Sequence, residues 1–462
     1  MLKQKTTIAR QWILRLICWI AMGLLVIWFR GHLTLLDVLG KSQAEPQMKI
    51  TEVDPDAVTS ATSQSHNQKV VANAYGIFMT HIHKEQCCDR RNSCMGASHS
   101  KCPIPKFIST WRLSRSVDGG ATFKSIYEGR HGTFPPALET DSQGNIYLAH
   151  TDYFQNGQNA YLMRFLARDN FRNPTIRVLT SGMGPKFAME IDEVRGQLYF
   201  YSDSNKFFRI RLSDLAVIAK YRLTRDGTIA NMHYPHFYLG ENGHLYLAWT
   251  TVFLTYEIDN RPPYWSIHFM RSLDGGVTWV KPNGQKLNPP IIADHNGPTD
   301  EITLADEHGV NTWLSTFIVK GDKAHFIYYV DWPVNKEHYV RYDLASARID
   351  RNVVPFEGDG ASIANLDGVY ATRRSIKEIF CVSKNNHTDS RIVVLKSEDN
   401  GLTWRKHALG PVSITHALGG SPQVTNDGYI IGSYTESSNF GDPTAKKIVK
   451  FFKVASLAEP SR

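Results

Sequence analysis

Three short stretches of this chain carry nearly the same residues. Ser116-Val117-Asp118-Gly119-Gly120-Ala121-Thr122-Phe123, Ser272-Leu273-Asp274-Gly275-Gly276-Val277-Thr278-Trp279 and Ser397-Glu398-Asp399-Asn400-Gly401-Leu402-Thr403-Trp404 share the pattern Ser-x-Asp-x-Gly-x-Thr-aromatic. Each follows a run that alternates like a strand. The chemistry is that of a hairpin turn. The Ser hydroxyl and Asp carboxylate can bond N–H groups of the turn, and the Gly permits positive φ. The Thr and the aromatic residue start the return strand, with the ring expected to cover the turn. One copy would say little, but three in register at long spacing signal a repeat architecture. Ser116, Asp118, Gly120, Ser272, Asp274, Gly276, Ser397, Asp399 and Gly401 are therefore read as structural, their bonding capacity spent on the turn.

Around these hairpins one unit recurs: a strand, a Gly/Asn/Asp turn, an apolar strand, a variable loop and a further alternating strand. The clearest copy runs through 233–239, the turn 240–243, 244–250, a loop rich in Tyr and Pro, and 265–271. An earlier copy runs through 134–150, weaker ones lie at 194–200 and 302–309, and the last two are at 361–368 and 421–428. Four strands in meander order make one propeller blade. The repeats predict an all-β propeller over 70–456 with seven blades, six being the alternative. Met48-Lys49-Ile50-Thr51-Glu52-Val53 could add an outer strand to the last repeat, closing the ring and removing exposed edges.

The formal net charge is +8, but Lys and Arg are scattered and form no basic stripe, which argues against nucleic acid. Attraction to acidic glycans or an anionic membrane surface fits better. Lys3, Lys5 and Arg10 precede an apolar run, so 1–11 reads as a basic cytoplasmic tail and 12–29 as an uncleaved signal anchor. A cleaved signal peptide is the alternative, which would leave the protein secreted. Residues 41–70 are polar, and 30–69 reads as a tether to an extracytoplasmic body. In that compartment Cys87, Cys88, Cys94 and Cys102 predict two disulfides of undetermined connectivity. A zinc site with His81 and His83 competes with that reading. Cys381 lies in an apolar run and is expected to be a buried free thiol. No cofactor is required, with zinc or calcium the candidate metals.

Strand order assigns loops to faces. The three repeated hairpins join third and fourth strands on one face. Loops between second and third strands, and connections between blades, lie on the other, where propeller ligands usually gather. Polar residues at first-strand starts are His131, His233, His236, His295, Asp300, Glu301 and His416. Loops after second strands add His81, His83, Asp89, Arg90, Arg91, Asp152, Tyr256 and Glu257. A His poised near neutral pH, a Tyr that passes a proton and an Arg that neutralises a carboxylate are what acid/base chemistry on an acidic substrate needs. Alternatively, each His bonds a neighbouring blade or sits on the surface.

The hairpin pattern resembles the Asp box of sialidase-like β-propellers, and with the repeating strand–turn–strand units the likeness covers most of the chain. The Arg-Ile-Pro motif of true sialidases does not occur. Asp89 falls in the loop that holds their catalytic Asp. A second branch comprises seven-bladed polysaccharide lyases and glycosidases acting on acidic glycans through His, Tyr and Arg. His233-Tyr234-Pro235-His236-Phe237 looks like the strand starts of that branch. The resemblance implies a membrane-anchored, glycan-active hydrolase or lyase, with His233 or His236 as base or acid and Tyr256, Arg90 and Asp89 as further catalytic candidates. His131, His295, His416 and Asp152 are then candidates for binding carbohydrate. The contrasting expectation is a non-catalytic propeller that binds a glycan or protein partner at the membrane.

Overall fold

The computed structural model describes residues 45–58, 61–63, 67–87, 107–130, 134–152, 158–180, 182–254, 264–307, 311–330, 336–353, 357–358, 361–362, 369–372, 378–385, 391–413, 415–438 and 445–457. The 1–11 tail, the 12–29 anchor, most of the tether, and Cys88, Cys94 and Cys102 lie outside the described residues, as does the side chain of Cys87. Among the described residues no helix is long and apolar enough to cross a membrane.

Residues 46 to 457 form an all-β propeller of seven antiparallel blades. Blades 1 to 7 begin with the strands Val70–Asn73, Ala137–Thr140, Phe187–Asp192, Ala230–Leu239, Thr312–Lys320, Val369–Thr372 and Thr415–Gly420. Burial decides which residues each strand can use. The second strand of blade 2, Ile146–Thr151, is buried along its whole length because both its faces meet neighbouring blades. The fourth strand of blade 5, Arg348–Val353, alternates exposed and half-buried positions, and its sequence alternates accordingly. Apolar clusters run across blade boundaries, as where Tyr147, Ala149 and Leu162 of blade 2 pack with Phe187, Phe200 and Phe208 of blade 3. A large apolar side chain such as Leu162 or Phe200 contributes about 1.5–3 kcal/mol on burial. Cys381 is buried and free, and burial pushes its thiol well up.

The chain's first described strand, Lys49–Asp54, completes blade 7. It pairs antiparallel with Lys447–Ala455, from Lys49 opposite Lys453 to Asp54 opposite Val449. Asp54 then fastens blade 7 to blade 1. Its Oδ2 accepts from His81 Nε2 at 2.9 Å and His83 Nδ1 at 2.6 Å, with Arg112 Nη1 at 3.5 Å. Burial alone would push the Asp54 carboxyl up, but the hydrogen bond and charge of His81, the Asp56 N–H and His83 outweigh it and hold it at about 2. His81 and His83 are thus spent on ring closure. Among the described residues no group of His, Cys, Asp and Glu is arranged to hold a metal ion.

The three repeated hairpins join third and fourth strands, and their internal bonding is the same in each. In blade 4, Ser272 Oγ accepts from Gly276 N at 2.7 Å and donates to Asp274 Oδ1 at 2.8 Å. Asp274 also accepts from Thr278 N at 2.8 Å and Thr278 Oγ1 at 2.7 Å. The ring also reaches beyond its own blade. Phe123, Trp279 and Trp404 pack on Phe451, Phe207 and Tyr339, with centroids 5.1, 5.6 and 5.1 Å apart. All three partners lie on the third strand of the preceding blade. The Gly of each hairpin faces that same ring: a Cβ on Gly276 would lie 2.5 Å from Cζ of Phe207. The hairpins are inter-blade clasps, and the glycine is needed for clearance as well as for its φ of 77°. Gly276→Ala is expected to cost about 1–3 kcal/mol, read as a lower denaturant midpoint at unchanged m-value.

Two blade starts differ from the sequence expectation. The hairpin expected at 302–309 is formed instead by Thr312–Lys320 and Lys323–Val330, about Gly321. Asp300–Glu301 pairs with the third strand of blade 4, beyond its short fourth strand Trp279–Val280. The intervening 281–299 is an insertion that displaces the next blade along the chain. Likewise blade 6 starts at Val369–Thr372, beyond the copy read at 361–368.

Candidate functional site

Connections between blades and loops after second strands gather on the face opposite the clasps. There, six residues from blades 3 and 4 and from the connections into blades 2 and 3 come together. Lys186 immediately precedes the first strand of blade 3, and its carbonyl accepts the Asp203 N–H at 2.9 Å. Asp203 follows that blade's second strand. Gly184 makes room for it, since a Cβ there would fall 1.5 Å from Asp203 Oδ1. His233 Nε2 stands 3.5 Å from Asp203 Oδ2. The His233 ring lies 4.4 Å from that of Tyr234 and 6.1 Å from that of Tyr264. Tyr264 OH donates to Tyr234 OH at 3.3 Å. Phe134, from the connection into blade 2, closes over the Lys186 ammonium at 3.9 Å from its ring centroid.

The local sequence explains how Tyr234 comes to face His233. Pro235 has no N–H for the ladder. The register shifts there, so that His233 pairs with Thr250 and His236 with Ala248. Within this bulge Tyr234 takes φ 46°, a conformation that costs a bulky residue about 1–3 kcal/mol. Bulges re-aim side chains in this way beside binding sites. Blade 7 repeats the device: its register shifts between His416 and Gly419, and Ala417 has φ 55°. The side chain of His416 lies outside those described.

Electrostatically the cluster is poised. Burial, then the charge of Lys186, lowers His233 to about 3, so its imidazole is neutral at working pH. Its Nδ1 is buried without a hydrogen-bond partner. Burial raises the Asp203 carboxyl to about 7 against the pull of Lys186. Burial lowers Lys186 to about 8 against the pull of Asp203. A neutral base, a carboxylate able to stabilise its protonated form and paired phenols can move protons on a bound substrate.

The fold is that of a known polysaccharide lyase. A solved structure of an ulvan lyase of the polysaccharide lyase family PL25, bound to -[GlcA(1-4)Rha3S]-, matches with a TM-score of 0.57 at 10% identity. The match covers 88% of this chain and 96% of that one. A second structure of a PL25 ulvan lyase matches with a TM-score of 0.55, also at 10% identity. At such identity the likeness establishes the fold alone. No family model and no curated protein matches the sequence.

Of the residues expected at a site, His233 alone is at the centre of this cluster. His236 points into the axial channel, lined also by Glu139, Glu190, Thr316 and Gln68. There burial, then Lys69, lowers it to about 3. Burial and mutual repulsion push Glu139 well up, and burial, then Asp192, raises Glu190 to about 8. Asp152 is occupied with its own loop, accepting from Asn159 N at 2.5 Å and Tyr161 OH at 3.0 Å. His295 belongs to the blade 4 insertion, bonded to Asp294 and packed on Trp265. Asp300, on the outer edge of blade 4, accepts from Tyr342. His131, Asp89, Arg90, Arg91, Tyr256 and Glu257 lie outside the described residues. Sequence reasoning missed Lys186, Asp203, Phe134 and Tyr264. The rule that flagged Asp152, a carboxylate just after a second strand, also fits Asp203.

Proposed function

We propose that this face is the active site of a lyase that cleaves an acidic polysaccharide by β-elimination. The observation that carries the proposal is the neutral, half-buried His233 with its buried, unpartnered Nδ1, set between Asp203 and the Tyr234–Tyr264 pair. The likeness in fold to a lyase bound to -[GlcA(1-4)Rha3S]- supports the substrate class. In this reading His233 takes the proton beside the carboxylate of a uronic acid unit. The electron pair of that C–H bond becomes the new C=C bond, and the glycosidic C–O bond breaks. The departing oxygen receives a proton from the phenol pair. Asp203, once ionised, stabilises the imidazolium.

Elimination leaves a conjugated unsaturated uronate, so the expected result with uronic-acid polysaccharides is rising ultraviolet absorbance together with new reducing ends. New reducing ends without absorbance would mean hydrolysis. Neither signal, with oligosaccharide binding retained, would establish a binding module instead.

A further inference from the structure

Five lysines are buried among the described residues: Lys69, Lys186, Lys320, Lys396 and Lys447. Four have oxygen partners at the ammonium. Lys69 donates to Asn67 O at 2.5 Å and Lys447 to Ala445 O at 2.7 Å. Lys320 meets Glu241, and Lys396 meets Glu398 at 2.6 Å and Glu378 at 3.1 Å. Lys186 is the exception. It is 9% exposed, and its ammonium sits 3.9 Å from the Phe134 centroid and 4.7 Å from that of Tyr234. Its contacts there are ring faces, which hold a cation in place but accept none of its N–H bonds in the ordinary sense. Its N–H donors are thus left for water or a ligand. The nearest acid acting on it, Asp203, shifts it through space while meeting His233 at 3.5 Å.

A cation held by aromatic rings, with hydrogen-bonding capacity unused, beside a neutral base, is arranged to receive an anion from outside the chain. We propose that Lys186, caged by Phe134 and Tyr234, binds the carboxylate of the sugar whose proton His233 removes. This rests on the lyase reading above and assigns the group that recognises its substrate. The ammonium would neutralise the carboxylate as negative charge builds on it during proton removal, so Lys186 affects both affinity and rate. An oxyanion of either kind, carboxylate or sulfate ester, could fill such a cage, and the test separates them.

Binding is measured by calorimetry with an oligosaccharide of alternating uronic acid and sulfated sugar, in a His233→Ala background so that nothing is consumed. Adding Lys186→Met is expected to weaken binding at neutral pH by about 10–100-fold, the loss of one charge-assisted contact. With Lys186 present, affinity should fall as pH rises through about 8, because the deprotonated amine has no charge to offer. The Lys186→Met protein should show no such limb. A carboxyl-reduced oligosaccharide should bind both proteins equally weakly, whereas a desulfated one should keep the difference between them. The reverse pattern would move the contact to a sulfate and overturn the assignment. So would equal binding of the intact oligosaccharide by both proteins. The melting temperature is measured alongside, and a loss of binding in the Lys186→Met protein that only tracks a loss of folded protein would also overturn the assignment. If the protein binds through Lys186 but cleaves nothing, the lyase reading falls and Lys186 keeps only the role of binding the carboxylate.

Discussion

His233→Ala is expected to lower kcat for cleavage of a uronic-acid polysaccharide by about 10²–10⁴-fold, the usual contribution of a positioned base. His236→Ala should cost less than about tenfold by the same scale, because that imidazole faces the axial channel with Glu139 and Glu190. The pH profile of kcat/KM gives an independent reading. His233 does not titrate in the working range, being held at about 3. The acid limb should therefore belong to Asp203, activity rising as it ionises through about 7. The alkaline limb should belong to Lys186, activity falling as it loses its proton through about 8. Asp203→Asn should remove the acid limb while leaving the alkaline one. Full activity of the His233→Ala protein would end the assignment whatever the profile.

The second large effect concerns stability. Asp54→Ala takes the common acceptor from His81, His83 and Arg112 at the junction of blades 7 and 1. Leaving buried partners unmatched should cost about 3 kcal/mol, measured by urea unfolding. The pH dependence has a definite sign. The Asp54 carboxyl is lower in the folded protein, at about 2, than in an unfolded chain, at about 3.9. Its contribution is therefore complete above about pH 4 and lost as pH falls towards 2. His81 acts in the same direction, since burial lowers its pKa in the folded protein. The Asp54→Ala protein should show a shallower acid limb than the parent. Equal acid limbs would mean that the junction is held by the strand ladder alone.

The propeller was legible because its decisive chemistry is local. Ser272, Asp274, Gly276 and Thr278 fold one turn among themselves, so a short pattern suffices to recognise it. What Trp279 does was not legible, because its partner Phe207 belongs to another blade. The same distinction explains the site. His233 could be placed on the ligand face from strand order alone. Lys186, Asp203 and Phe134 each stand just outside a strand, where periodicity is silent, and only the ring brings them to His233. The start of blade 5 was missed for a different reason. The insertion 281–299 carries turn residues of its own, and the sequence turn ending at Gly309 drew the reading away from the hairpin about Gly321.

The strand Lys49–Asp54 is synthesised well before the strand it pairs with. Glu52 and Lys450, joined across that ladder, are 398 positions apart. At about 5–20 residues per second a ribosome needs on the order of 20–80 s to make what lies between them. Throughout that interval the strand waits unpaired, exposed to strands of neighbouring nascent chains. Its sequence, Lys-Ile-Thr-Glu-Val-Asp, sets a charge or hydroxyl beside each aliphatic residue, a pattern that discourages edge-to-edge association. The residues that close the finished ring thus also guard the unfinished chain, and replacing Lys49 and Glu52 by apolar residues would trade yield during expression for little gain in the mature protein.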